Sequence, residues 1–543
     1  MKKFFLMVML FSCSKLFKGT NFKNKNINEE LLMAVINSNK EKAKNLIKKG
    51  ANLKFIHKNK NFLEIALSLE KPKLEMIKIL IKEGMQPTKE EVAKIYNLAL
   101  TDFDFNSRKI IDLMYEKNYK IAEGIIDDKK YFLLLCYKSN IENVEEFLKV
   151  KNVNVKEIKD NYNNNALTIA CEGGNKDIVE LLIDKGILID DKDEYDFTPL
   201  MIACDNGYEN IVELLTNRGA NIDKEIENGW TALILAVRKG FKEIIKILID
   251  RGADINKKEN QGVTALMLAT QKGYLEIAKF LIEKGANVND TDKEGFTPLI
   301  LASQNGYIEI VELLIKEGAN INKKNNEGFT PLMAACEADC LEIVDLLIVK
   351  GSDLESNNRD GATALMIAVK KNQLEIVKLL IEKGADVNSS DYNKTALILA
   401  FKKNMLEISK FLIKKGANIN LKDINKKSAL YYAVMNENIE LIKELVEAGI
   451  DIYGKDELNR TILNYISEML KIFKDKSEKD KLIEISYMIV RKISEEYIQL
   501  FISLNKNTST IQEIKDNVHN HINLLYFLQN LPIEIFENII KNF

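Results

Sequence analysis

Between residues 297 and 329 the apolar positions change spacing twice. Leu299, Leu301 and Ala302 give a first short stretch one apolar flank, and Ile310, Leu313 and Leu314 then follow at i, i+3 and i+4. That second spacing predicts a helix burying one face. Thr297 stands where its hydroxyl caps the first helix. Pro298 takes the first helical position, where a missing N–H costs nothing. Gly306 ends this helix in the left-handed conformation that glycine tolerates, and Gly318 stops the second. The next four residues, Ala-Asn-Ile-Asn, read as extended, and Gly328 permits a tight turn before Thr330. The predicted unit is helix, turn, helix and a projecting hairpin.

The same pattern returns along the chain, as FTPLMIACDNGYENIVELLTNRGANID at 197–223 and VTALMLATQKGYLEIAKFLIEKGANVN at 263–289. The capping position recurs at Asn165, Thr198, Thr231, Thr264, Thr297, Thr330, Thr363, Thr395, Ser428 and Thr461, in steps of 33 except for one of 32. The glycine after the second helix keeps the same phase from Gly186 to Gly449. A fixed period of this size predicts an all-α stacked solenoid, in which each unit needs its neighbours to bury its apolar face.

The line G-x-T-P-L-x-x-A…G-x-x-E-I-V-x-L-L-I-x-x-G-A-x-I-N resembles the ankyrin repeat, over residues 161–470. The resemblance implies a helix-turn-helix plus hairpin per repeat and a concave face that binds proteins. The family usually places His after Thr-Pro-Leu, where this chain has Met201, Ile234, Met267, Ile300, Met333 or Met366. Apolar packing is therefore expected to replace the family's Thr–His hydrogen bonds. After Thr330 the glycine ending the first helix becomes Asp339, Asn372, Asn404 and Glu437, residues that visit the left-handed region less readily. The later units are expected to be locally less stable. Residues 29–160 read as four divergent units, giving about fourteen in all. Residues 471–543 read as a helical C-terminal region.

Length and composition narrow the class. The 543 residues exceed one compact core. Basic residues number 78 and acidic residues 80, and this balance argues against a dedicated nucleic-acid binder. The six cysteines are too sparse for a disulfide framework. Cys171, Cys204 and Cys336 share one repeat position and read as small core residues. Cys336 and Cys340 lie four apart with no histidine nearby, which makes a poor metal site.

Chemistry is correspondingly scarce. The only histidines are His57, His519 and His521, and no phosphate-binding glycine loop is present. The acidic run at 189–196 lacks calcium-loop spacing and reads as a solvated hairpin tip. The expectation is a non-enzyme with no cofactor, metal, small-molecule substrate or nucleic acid, monomeric, and binding protein partners through its repeats. Interface anchors are usually aromatic or Arg. Phe197, Trp230, Phe296 and Phe329, each just before a capping threonine, are the candidate partner-binding residues. A second series, Tyr208, Phe241, Tyr274 and Tyr307, lies between the two helices of its units and reads as a seal between repeats.

The chain ends carry two further resemblances. Lys2 and Lys3 precede an apolar run from Phe4 to Phe11, which fits a secretory signal too short to span a bilayer. Leu10-Phe11-Ser12-Cys13 resembles a bacterial lipobox. That resemblance implies cleavage of a signal peptide at 1–12, lipidation of Cys13, a polar tether over 13–28, and export to a membrane held through the acyl chains. A plain secretory signal or an uncleaved apolar N-terminus are the other readings of the same residues. At the far end, Leu531-Pro532 with Glu534, Ile535, Ile539 and Ile540 is similar to the opening of an F-box. It implies the alternative of a secreted effector that links a target to a ubiquitin-ligase adaptor.

Overall fold

Each repeat is built from caps that leave few backbone groups unpaired. In the unit read above, the Thr297 hydroxyl accepts the Ile300 N–H at 3.2 Å, opening the helix Pro298–Asn305. Gly306 closes it in the left-handed region at φ 78°. The helix Ile308–Lys316 follows, and Gly318, at φ 85°, turns the chain out of it while the Ala319 N–H donates back to the Leu314 carbonyl at 2.9 Å. The same cap opens the first helix at Thr198, Thr231, Thr264, Thr330, Thr363, Thr395 and Ser428. Asn165 does the same work with its amide oxygen.

These positions come from a computed structural model that describes residues 22–504, save for 58–59, 70–72, 103–104, 118–126, 152, 392–393, 452–453, 456–459, 463 and 468–475. The chain divides into two compact units, Met1–Asp254 and Ile255–Phe543. Each is an all-α stack of helix pairs. Among the described residues, strand pairing is limited to Ser390–Asp391 with Lys394–Thr395 and to isolated bridges. No described helix is long and apolar enough to cross a membrane.

In the first unit, Ala166–Gly173, Pro199–Asn206 and Ala232–Lys239 stack as successive first helices. In the second, Ala265–Lys272 begins a like row. Of the apolar positions read in the unit 297–329, Leu299, Ala302, Ile310 and Leu314 are buried, whereas Leu301 and Leu313 are only half-buried. Where the family pattern carries histidine, Met201, Ile234, Met267, Ile300, Met333 and Met366 are buried as well. At one of these places the Met201 thioether accepts the Thr198 N–H at 3.5 Å. Dispersion packing replaces the hydrogen bonds elsewhere.

Upstream of residue 160 the structure contains the helix pairs Phe22–Ile36 with Lys40–Lys48, Phe62–Leu67 with Leu74–Lys82, Lys89–Asp102 with Phe105–Glu116, and Asp128–Lys138 with Ile141–Val150. Asn39, Asn61, Asp127 and Asn140 supply side-chain caps there, so degenerate sequence keeps the capping chemistry with other residues. The helix Phe22–Ile36 runs through residues 22–28, which the sequence reading gave to a tether. Asn28 is buried and its amide oxygen accepts the Asn52 N–H at 2.7 Å. The polar letters of this stretch serve a helix and its neighbour.

Downstream, the helix Lys476–Leu504 packs on Ile439–Glu447, with Leu482, Ile485 and Ile489 fully buried. Their spacing at i, i+3 and i+7 is that of one apolar stripe. Cys13 with the lipobox-like residues, His519, His521 and the F-box-like segment 531–543 lie outside the described residues.

Candidate protein-binding surface

The hairpins that precede each capping threonine are set by side chains that stand in for backbone partners. Asp193, Asp292 and Asn325 each accept the N–H four residues on, which belongs to Phe197, Phe296 and Phe329 respectively, all at 2.8 Å. Short polar side chains bond their own turns in this way. The three phenylalanines are thus held at the hairpin base, half-buried. Trp230 is half-buried too, with the Arg238 guanidinium 4.5 Å above its ring. Arg238 and Lys239 both pair with Asp205 of the preceding repeat, at 2.8 and 3.0 Å. Phe197 and Trp230 lie in the first unit, Phe296 and Phe329 in the second, and Asn164, Val263, Ala362, Lys394, Lys427 and Arg460 hold the equivalent positions without an aromatic ring.

The second aromatic series has a different job. A Cβ placed on Gly174 would lie 2.7 Å from the Tyr208 ring, and one on Gly207 would lie 2.9 Å from Phe241. Within the other unit, Gly273 meets Tyr307 at 2.8 Å by the same measure. Each of these rings covers the glycine that ends the preceding first helix. Cys340 occupies the ring's place against Gly306. Beyond it Gln373, Met405 and Asn438 replace the aromatic, and the opposing glycine becomes Asp339, Asn372 and Asn404, all left-handed at φ 57–63°. Gly306 outlasts the ring by one repeat, and the glycine is replaced in the repeats that follow. At the last of these pairs the Asn438 amide donates to the Asn404 side-chain oxygen at 2.6 Å.

Two rows of polar side chains escape the sequence reading. At the end of the extended stretch, Asp190 and Asp223 of the first unit accept the N–H of Asn221 and Asp254. In the second unit Asn256, Asn289, Asn322, Glu355, Asn388 and Asn420 accept, in the same manner, an N–H one repeat further on. Asn289 also donates to the Gly318 carbonyl at 3.1 Å, which a carboxylate cannot do. Neighbouring hairpins bond directly as well, from the Glu194 N–H to the Tyr162 carbonyl, and from Lys293, Asn326 and Arg359 to Gln261, Glu294 and Glu327. The signal in the sequence is the recurring Asn or Asp, once Glu, that closes each Ala-Asn-Ile-Asn-like stretch.

The acidic run at 189–196 is largely consumed by this framework. Burial alone would raise the Asp191 carboxyl, but hydrogen bonds from Lys159 and Asn165 and the Lys159 charge hold it below the usual carboxylate range. Asp193 binds its own turn, and Asp196 pairs with Lys192 at 3.0 Å. Among the described residues no cluster of His, Cys, Asp or Glu has the makings of a metal site. Burial pushes the thiols of Cys136, Cys171, Cys204 and Cys336 well up, as expected of core side chains, and burial with the Glu342 and Asp339 charges also raises half-buried Cys340.

The second unit also carries a groove of about 660 Å³. It descends from the hairpin tips at Asn358–Gly361 and Asp423–Asn425 to the ends of the helices Ala364–Lys370 and Ala396–Lys402. Its lining brackets the single 32-residue step, from Thr363 to Thr395. Phe329, Ile367 and Leu399 contribute apolar lining, and Ile424, 59% exposed, stands on its rim.

A comparison with curated proteins finds no match. The family model for ankyrin repeats (3 copies) matches residues 132–226, 221–292, 288–358, 339–423 and 391–456, together more than half of the chain. With the capped helix pairs and the projecting hairpins in each unit, these matches place the chain in the ankyrin repeat family.

Proposed function

We propose that this chain is a non-catalytic scaffold that binds partner proteins through the hairpin tips and first helices of its repeats. The observation that carries the reading is the division of labour along each repeat. Capping threonines, core leucines and the polar rows are spent on the stack itself. Phe197, Trp230, Phe296 and Phe329 stay half-exposed on hairpins whose backbone is already fixed. Rings held this way lose little freedom on binding, which favours them as anchors. A cross-linking pull-down with the full chain as bait tests this. Loss of a captured protein with Phe296→Ala/Phe329→Ala, at unchanged helical circular dichroism, is the expected result. Capture that neither this pair nor Phe197→Ala/Trp230→Ala alters would overturn the choice of surface.

The proposal extends to place. The Lys2-Lys3 start, the apolar run and Cys13 support export and a lipid anchor on a bacterial membrane. Labelling with a radioactive fatty acid is expected to mark the chain and to leave Cys13→Ala unmarked. Equal labelling of both, or of neither, rejects the anchor.

A further inference from the structure

The first unit carries an open depression of about 480 Å³ at the ends of two neighbouring second helices, Ile141–Val150 and Lys176–Asp184. Among the described residues four lysines line it, Lys149, Lys151, Lys156 and Lys185, and no carboxylate does. Lys149 and Lys151 reach back to Glu145 and Asp128, at 3.8 and 3.2 Å. The exposed Lys156 and Lys185 ammonium groups have no ion-pair or hydrogen-bond partner among the described residues. Lys156 lies over Gly186, its Nζ 3.1 Å from where a Cβ would stand, and so beside the residue that follows Lys185. The carboxylates next to them in sequence are engaged elsewhere: Glu157 accepts the Asn154 amide at 2.7 Å, and Asp184 accepts the Arg218 guanidinium at 2.8 Å. Helix C-termini favour lysine through their dipole, which accounts for the cations but not for the apolar residue among them. Val150 ends its helix 70% exposed, where the next second helices of the unit end on Asp184, Asn217 and Asp250. Charge along the unit is divided as well. Residues 22–160 hold 27 basic and 21 acidic side chains, whereas residues 161–254 hold 10 and 18.

We infer that this patch lies on the surface of an anionic phospholipid bilayer, with Lys156 and Lys185 on headgroup phosphates and Val150 in the headgroup layer. The inference rests on the reading that places the chain at a membrane, and adds to it the face that the chain turns to that membrane. An apolar residue ringed by lysines suits a bilayer interface, where ammonium groups meet phosphates while stems and apolar side chains reach the acyl boundary. An acidic peptide would satisfy the lysines too, but it would answer only to the patch. The charge division extends over the whole unit: an anionic surface draws the basic early repeats and repels the acidic ones that follow, which fixes which end lies down. A lipid anchor by itself leaves that orientation free.

Co-sedimentation of the full-length Cys13→Ala chain with vesicles tests the inference without an acyl chain. Vesicles of equal parts phosphatidylcholine and phosphatidylglycerol are expected to carry the chain down, less so with added salt, and vesicles of phosphatidylcholine alone to leave it in solution. Affinity for the anionic vesicles is expected to fall about tenfold or more with Lys156→Glu/Lys185→Glu, and less with Val150→Ser. A pair of equal charge change in the second unit, Lys350→Glu/Lys414→Glu, is expected to stay within about twofold of the parent, since solvent screens charges beyond about 10 Å. Circular dichroism and melting temperature establish that the variants fold. Inorganic phosphate matched to the lipid phosphate is expected not to release the chain, and release would mean a small-anion site instead. Equal binding to both kinds of vesicle, no binding to either, or equal losses from the two lysine pairs overturn the inference, as does retention on immobilised poly-glutamate without vesicle binding, which would assign the patch to an acidic protein. If fatty-acid labelling marks Cys13 while the vesicles fail, the anchor stands and the patch alone is wrong. If labelling fails while Cys13→Ala still binds anionic vesicles, the anchor is wrong and the patch holds.

Discussion

A single ring decides whether a position must be glycine. Gly207 and Gly219 share nearly the same backbone, at φ 81° and 84°. A side chain on Gly219 meets nothing within 4 Å, whereas one on Gly207 strikes the Phe241 ring at 2.9 Å. Gly219→Ala is expected to cost only the left-handed penalty, about 1–2 kcal/mol. Gly207→Ala adds an overpacking cost of about 1–3 kcal/mol. Denaturant midpoints measured on both variants check the order. A double-mutant cycle with Phe241→Ala isolates the clash, because removing the ring is expected to abolish the extra cost of Gly207→Ala and leave the backbone part. Equal destabilisation by the two alanines would show that the ring moves aside freely. The polar rows allow a similar comparison. Asn289→Asp keeps the acceptor for the Asn320 N–H but loses the donor to Gly318, and Asn289→Ala loses both. The alanine is expected to cost about 1 kcal/mol, the aspartate less. An aspartate as damaging as alanine would mean that the bond to the carbonyl dominates.

Helices and their caps are the best-forecast part of this chain. Thr297, Pro298, Gly306 and Gly318 announce start and stop because each residue type solves a local backbone problem, and the structure uses all four as expected. Thr297→Ala is accordingly expected to cost about 1 kcal/mol and Thr297→Ser much less, read from the same denaturant midpoints. Later helices end on Asp339, Asn372, Asn404 and Glu437, all with positive φ. Glutamate has no short side chain to offset that conformation, so Glu437→Gly is expected to stabilise its repeat by up to about 1 kcal/mol. Slower amide exchange in the helices Ala429–Met435 and Ile439–Glu447 checks this, and faster exchange would refute it. What the periodic pattern does not carry is how hairpins join. A hydrogen bond from Asn289 to a backbone group one repeat away leaves no apolar period, only a recurring polar letter that a turn explains equally well. The groove is less legible still. It depends on hairpin tips and helix ends meeting and on Ile424 being left uncovered, and both facts need neighbours placed in space. The tether over 22–28 misleads for a related reason, since Asn28 is polar by composition but buried by its bond to Asn52.

A molecule stabilised only between neighbours tolerates an edit that would ruin a globular core, provided the edit respects the period. Deleting residues 297–329 removes one period of 33 and joins Gly295-Phe296 to Thr330-Pro331, restoring the original Gly-Phe-Thr-Pro sequence at the splice. The cut lies wholly within the second unit. In the shortened chain Thr330 still caps Pro331–Glu337, now stacked on Ala265–Lys272 instead of Pro298–Asn305. The groove should survive, because Phe296 and Glu294 inherit the repeat positions of Phe329 and Glu327. Cys340 then faces Gly273 in place of Tyr307, leaving a gap at that joint but no clash. The expected outcome is a cooperatively unfolding protein with the parent's helical signal per residue and somewhat lower stability from one lost interface. Deleting residues 297–326, three fewer, places Glu327, Gly328 and Phe329 after Phe296 and doubles the hairpin's end before the cap. That variant is expected to lose protection in the adjoining helix pair, seen by amide exchange. If the two deletions behave alike, stacking does not depend on the 33-residue register, and a nearest-neighbour account of this chain fails.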